Sequence, residues 1–415
     1  MRKRKLIDAY IAIMLMKSVR ISNVRIIDRD KDVLGEVLIK DGDILGVYTS
    51  KSDMDFGRAE IEIDGRGKIL MPSFVDLHTH FRDPGFTAKE DIKTGSEAAV
   101  KGGFTTVCTM ANTSPICDNM DVFEYQVENA RKVGLVDLFP VMAITKGLEG
   151  NNMDHLYYVD ERVKLVSDDG RGLMNSYFME EALELSKNKN FIVCSHAEDT
   201  AFSKHDMRKA ENYMSLRDIY ASMQTGGRLH LCHVSTKEVI DMIRKARQQD
   251  ANVTCEVAPH HLYFTDDRYY RVNPPFRKKD DISAIIKAIK EGYVDVIATD
   301  HAPHTEFDKE NGAPGISGIE TAFAAVNTVF MKNRIDLRTL SKLMSYNPAH
   351  MLGLKKGLIS KDYKADLVLV DIDKVNTIKK EDFASKNSNS PFIGERLFGE
   401  VLLTIKAGEI VYKKN

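Results

Sequence analysis

The chain has 415 residues, too long for one ordinary compact domain but sufficient for one barrel of about 250 residues plus a smaller domain. Hydrophobic residues make up 43% and charged residues 29%, which allows a large core, and a formal net charge of -2 gives no general pull toward nucleic acid or an anionic membrane. Cys108, Cys117, Cys194, Cys232 and Cys255 are scattered and form no CxxC pair, which argues against a disulfide framework or a zinc knuckle and for buried free thiols.

Residues 1–17 begin with Arg2-Lys3-Arg4-Lys5 and an apolar stretch from Leu6 to Met16. Asp8 interrupts the stretch, no small-residue cleavage site follows, and it is too short to span a bilayer. It reads as an N-terminal extension of a cytoplasmic protein. Residues 18–71 read as short strands: Val19-Arg20-Ile21, Val24 to Ile27, Val37 to Lys40 and Asp43 to Val47, the last two joined by Asp41-Gly42, a strong hairpin signal. Residues 353–415 look alike, with a strand from Ala365 to Val370 and a second hairpin turn at Ala407-Gly408. One small β-sandwich domain built from both chain termini is therefore expected.

The middle, 72–352, alternates strand and helix. Strands are expected at Ile69 to Leu77, Phe104 to Met110, Val136 to Ile144, Val163 to Val166, Phe191 to Cys194, Leu229 to Cys232, Val253 to Val257 and Val294 to Ala298. Helices are expected at Met179 to Ser186, Lys237 to Gln248 and Ile282 to Ile289. Eight such repeats predict a closed (β/α)8 TIM-type barrel. The competing doubly wound sheet would want a phosphate-binding glycine loop after its first strand, and none is present.

Metal-ligand residue types fall at the C-terminal ends of five of these strands, the face where barrel enzymes build their sites. They are His78 and His80, Asp168 and Asp169, His196, His233, and Asp300 with His301. His78 and His80 are two apart and so share one face of a strand. Imidazoles with carboxylates suit a transition metal, zinc first.

Specific motifs accompany this pattern. Pro72 to Gly85, containing Asp76-Leu77-His78-Thr79-His80-Phe81-Arg82, resembles the first-strand motif of the bacterial class I dihydroorotases of the amidohydrolase superfamily. So do Ala298-Thr299-Asp300-His301-Ala302-Pro303-His304, Met110-Ala111-Asn112-Thr113, Cys232 to Lys237, Pro259-His260-His261-Leu262 and Asn273-Pro274-Pro275. The resemblance covers nearly all of 18–415. It implies reversible cyclisation of N-carbamoyl-L-aspartate to L-dihydroorotate and water in pyrimidine synthesis, with two zinc ions per chain. One ion would be held by His78, His80 and Asp300, and the other by His196 and His233. Asp169 would bridge them, with a carboxylated Lys164 as the alternative bridge. Asp300 would carry the catalytic proton. Arg82, Asn112 and His304 would take the substrate carboxylate, and Asn273 and the backbone at Gly315 would contact the ring. His260 and His261 would be structural, and Asp168 would serve its loop.

The resemblance further implies a small-molecule substrate, no nucleic-acid or membrane partner, a homodimer, and association with an aspartate transcarbamoylase. Against the family, 197–232, 263–273 and 305–317 are short. A sibling allantoinase or hydantoinase would keep the metal residues without the carboxylate cluster. An inactive homologue would have lost a metal residue.

Overall fold

The computed structural model describes residues 18–49 and 59–414; the N-terminal extension expected at 1–17 lies outside the described residues. Strands β1 (Ser18–Ile27), β2 (Asp32–Lys40), β3 (Asp43–Tyr48), β4 (Ile61–Asp64) and β5 (Ile69–Pro72) come from the front of the chain. They join β14 (Leu367–Thr377), β15 (Arg396–Lys406) and β16 (Glu409–Lys413) from its end in one eight-stranded sheet. The order is β16-β15-β14-β5-β1-β2-β3, with β4 beside β1. Alternating apolar positions from both ends, among them Ile21, Val37, Leu70, Leu367 and Ile405, form one apolar cluster. Both expected hairpin turns use left-handed backbone, Asp41 and Gly42 at φ 52° and 83°, Ala407 and Gly408 at 45° and 79°. The two tips meet on one residue: Ala365 N–H donates to Gly42 O at 2.9 Å, and Gly408 N–H donates to Ala365 O at 3.0 Å.

The strand expected from Ile69 to Leu77 is two strands. Ile69–Pro72 belongs to the terminal sheet, and β6 (Phe74–Thr79) opens the barrel. Pro72 has no N–H with which to continue the ladder. At the break, Ser73 N–H donates to Asp366 O at 2.9 Å and its hydroxyl meets Thr105 Oγ1 at 2.5 Å.

The barrel strands are β6, β7 (Phe104–Thr109) and β8 (Asp137–Pro140) in one parallel sheet. Strands β9 (Leu165–Val166), β10 (Ile192–Ser195), β11 (Leu229–Leu231), β12 (Val253–Val257) and β13 (Val296–Ile297) form another. Parallel bridges close both seams, Met142 with Val166 and Thr79 with His301. Several strands are shorter than their apolar runs: Pro140 ends β8, and only the bridge at Met142 carries the run onward to β9. Val75, Leu77, Cys108, Cys194, Cys232 and Val296 pack the interior. All five cysteines are free and buried.

The helices on the outside are set by their caps. Lys237–Arg247 is capped by Thr236, whose side chain accepts from Val239 N–H, with Glu238 in its first turn and Arg244, Lys245 and Arg247 in its last. That start fixes the short turn from β11 that carries His233. Among the described residues no helix is long and apolar enough to cross a membrane.

Candidate metal centre and active site

Three side chains at the rim stand on strained backbone. Arg82, His233 and Asp300 have φ of 59°, 34° and 48°, a region that non-glycine residues rarely adopt. Each lies where a strand run gives way to a loop, and the sharp turn aims its side chain over the barrel mouth.

Six residues converge there. His78 Nε2 lies 3.4 Å from Asp169 Oδ1 and 3.6 Å from Asp300 Oδ1. His80 Nε2 lies 3.2 Å from Asp300 Oδ1 and 3.5 Å from Asp169 Oδ2. His196 Nδ1 is 3.3 Å from Asp169 Oδ1 and 2.9 Å from His233 Nε2. Asp169 therefore touches both histidine groups. His78 Nε2 and Asp169 Oδ1 are buried without a hydrogen-bond partner. Ligand atoms of His78, His80 and Asp300, and of His78, Asp169 and His233, lie within 4.8 Å of one another. Buried imidazole nitrogens and carboxylate oxygens aimed at shared points fit a bound cation.

Electrostatics agree. Burial opposes the charged form of His196, but its contacts with Asp169 and Glu198 outweigh this and push it up to about 9. His78 is likewise raised despite burial, by Glu256 and Asp169. Burial together with the charges on His196 and His78 takes His233 down to about 3. Asp169 and Asp300 stay well below the usual carboxylate range despite burial, held there chiefly by the surrounding histidines.

Residues given no role in the sequence reading hold these groups in place. Asp76 accepts from His78 N–H at 3.2 Å, Thr299 N–H at 3.0 Å and the Thr299 hydroxyl at 2.6 Å, tying the first strand to the eighth. Glu256 on β12 meets His78 Nδ1 at 2.6 Å and His230 Nε2 at 3.1 Å, which orients His78 with Nε2 toward the cluster. Glu198 meets His196 Nε2 at 3.0 Å. The available signal was a polar residue inside an otherwise apolar strand, such as His230 in β11 and Glu256 in β12, which must be paired if buried.

Asp168 accepts from Thr145 N–H at 2.9 Å and from the Thr145 hydroxyl, so it serves the neighbouring loop. Lys164 lies away from the cluster. It lines a groove of about 620 Å³ at the N-terminal ends of β8 and β9, with Arg131, Asp137, Arg162 and Lys406. His261 Nε2 meets Pro274 O at 2.8 Å, and buried His260 packs beside it.

A smaller cavity of about 180 Å³ opens over the six-residue cluster, and its walls include Arg82, Asn112, Asn273, His304 and Gly315. Arg82 Nη2 lies 3.3 Å from His304 Nε2, and Arg82 Nε is buried without a partner. Burial and the cations Arg82, Lys89 and Lys309 lower His304 to about 3, so its ring is neutral. Asn112 does more than line the wall: its oxygen meets His80 Nδ1 at 3.0 Å and its amide donates to Asp169 Oδ2 at 3.3 Å. Asn273 donates to Glu198 Oε2 at 2.7 Å. Gly315 has φ 132°, and a Cβ there would come within 2.7 Å of Ala302 O. Its carbonyl already accepts from Lys309 Nζ at 3.0 Å and Asn389 Nδ2 at 3.1 Å, which leaves glycine's compactness as its main contribution to the wall.

A closed β/α barrel with clustered histidines and aspartates at its C-terminal rim defines a hydrolase class, and residues 69–411 match the amidohydrolase family. The chain belongs to that family, and within it to the dihydroorotases. The dihydroorotase of Clostridium botulinum is 47% identical over 399 residues, covering 95% of this chain and 99% of the relative. That of Thermoanaerobacter sp. is 41% identical, covering 86% and 89%. Among solved structures, the L-hydantoinase (dihydropyrimidinase) of Arthrobacter aurescens superposes with TM-score 0.85 at 25% identity, covering 96% of each chain. The dihydropyrimidinase of Brevibacillus agri, at 21% identity and TM-score 0.82, shares the fold.

Proposed function

We infer that this chain is a cyclic amidohydrolase that acts as a dihydroorotase, closing N-carbamoyl-L-aspartate to L-dihydroorotate and water and reopening the ring. The observation that carries this reading is the pairing, in one cavity, of five of the six cluster residues with the partly unsatisfied guanidinium of Arg82. A hydantoinase substrate has no carboxylate to place there. An inactive homologue would have no reason to keep all six residues. Purified chain should hydrolyse dihydroorotate in preference to allantoin or hydantoin. Faster turnover of either sibling substrate would reverse the assignment.

His78, His80 and Asp300 would hold one zinc ion, His196 and His233 the second, with Asp169 between them. Bound there, the ions would lower the pKa of a water toward neutrality and polarise the amide carbonyl. The chain's own residues do the rest. Arg82 takes the substrate carboxylate through parallel hydrogen bonds, with His304 and Asn112 beside it. Asn273 and the wall at Gly315 confine the ring. Asp300, ionised and at the cavity wall, accepts the proton of the attacking water and delivers it to the departing ring nitrogen. In ring closure, once the substrate carboxylate has taken one proton from solvent, Asp300 takes a proton from the carbamoyl nitrogen and returns it to the oxygen that leaves as water. The reading extends to a homodimer and to association with aspartate transcarbamoylase.

Three results are expected of the metal centre. Elemental analysis should find up to two ions per chain, and His233→Ala should empty one subsite; active enzyme without metal would refute the assignment. Lys164→Ala should keep the full metal content, because Lys164 faces a different groove, while Asp169→Ala should lose metal. Retention of metal by Asp169→Ala with loss in Lys164→Ala would make the lysine the bridge.

The third concerns pH. In the metal-free chain His196, pushed up to about 9, carries a proton at neutral pH, and His78 is raised in the same direction. Metal must displace the His196 proton, so affinity should rise with pH from neutrality toward about 9. Titration calorimetry in buffers of different ionisation enthalpy should detect proton release on metal binding at pH 7; none would contradict these assignments.

A further inference from the structure

The helix Met207–Thr225 buries one face, mixed in polarity, and carries an apolar stripe on the opposite, outer face. Ala210, Met214, Ile219 and Ala221 are buried against the barrel. On the outside, Tyr213, Leu216 and Tyr220 are 53%, 51% and 59% exposed. Their spacing of three and four puts them on one stripe. From 210 through 225 the exposed positions are these three and Gln224, none of them charged. A helix facing only water carries charge on that stripe. The stripe continues onto its neighbours. Phe202 stacks on Tyr213, with ring centroids 4.8 Å apart. Arg217 Nη1 donates to Met174 O at 3.0 Å, which holds Met174 and Tyr177, 42% and 67% exposed, beside the helix. Among the described residues nothing covers this face.

We propose that this face is the surface through which two copies of the chain associate, with the Met207–Thr225 helices antiparallel across a two-fold axis near Leu216. The proposal rests on the homodimer reading above and assigns its interface. The uncharged stripe offers a charged partner nothing to pair with, whereas a two-fold contact needs only self-complementarity. The sequence has that property about its midpoint. With the axis between Leu216 and Arg217, Tyr213 of one copy meets Tyr220 of the other. Lys209, exposed at the helix start, then meets Gln224 and the negative end of the partner helix. With aromatic side chains of about 150–250 Å² each, the partly exposed residues present roughly 500 Å² per copy. A symmetric contact buries this twice, about 1,000 Å² in total, the size at which a specific interface becomes tenable.

Sedimentation velocity on the full chain at micromolar concentration should show a dimer, and Leu216→Glu should be monomeric with an unchanged circular dichroism spectrum. Leu216→Cys should cross-link two copies under mild oxidation, because the axis brings this position close to its own copy. A monomeric wild-type chain would overturn the homodimer reading and this surface together. A dimer that survives Leu216→Glu would overturn the surface alone. A Leu216→Cys dimer that resists cross-linking would overturn the antiparallel arrangement. Dihydroorotate turnover, measured alongside, decides the catalytic reading separately.

Discussion

Asp300→Ala should lower turnover for ring opening and ring closing alike, each by at least the roughly 10²–10⁴-fold that a positioned acid–base group contributes. The reason is geometric. Asp300 contacts His80, at 3.2 Å, and lines the same cavity as Arg82. The surrounding histidines keep it ionised despite burial, so it is ready to accept a proton in either direction. One carboxylate shuttling one proton must matter equally both ways. Because Asp300 also belongs to the proposed ligand set, metal content has to be measured on the same sample, and Asp300→Asn separates the two roles by keeping a neutral oxygen in place. A variant that retained its metal and lost only one direction would rule out the single-shuttle mechanism.

Arg82→Met should lower kcat/KM for dihydroorotate by at least about 30-fold and leave dihydrouracil, which has the same ring without the carboxylate, nearly unaffected. Leaving one charge of a buried pair without its partner costs about 2–5 kcal/mol, and 30-fold is the lower end of that range. Arg82 has a buried Nε without a partner, and its neighbour His304 is neutral, so the positive charge offered to an anion at this wall comes from Arg82. Methionine keeps much of the stem volume. Metal content should be unchanged, because Arg82 contributes no ligand atom to either group of the cluster. Equal losses for both compounds would mean that Arg82 supports the fold or the cluster, and the distinction from a hydantoinase-like sibling would lose its main physical support.

Much of this architecture was legible in the chain because it is written in local rules. Asp41-Gly42 makes its turn since both residues tolerate left-handed backbone, and in Ala407-Gly408 the glycine does. The alternating strand and helix runs imply a parallel barrel. The chain-order positions of His78, His80, Asp169, His196, His233 and Asp300 fall after strand runs, so their common rim follows from the fold class. The break at Ser73 was less visible. Ile69 to Leu77 is largely apolar, and the absent N–H of Pro72 and the pull of Asp366 on Ser73, nearly 300 positions away, split it between two sheets.

What the sequence by itself determined is therefore which residues stand at the barrel mouth. What only the tertiary structure decided is how they face one another. The seam from Thr79 to His301 closes the ring and brings Asp300 to His80, and Asp76 locks that seam through Thr299. Lys164 precedes β9 and Asp169 follows it, and the two line different cavities. Glu256 reaches His78 across 178 positions. Such contacts depend on the closed geometry of eight strands, and no local propensity encodes them. The reach of a buried carboxylate to a histidine on another strand exists only once the barrel has closed and excluded the water that would otherwise satisfy both.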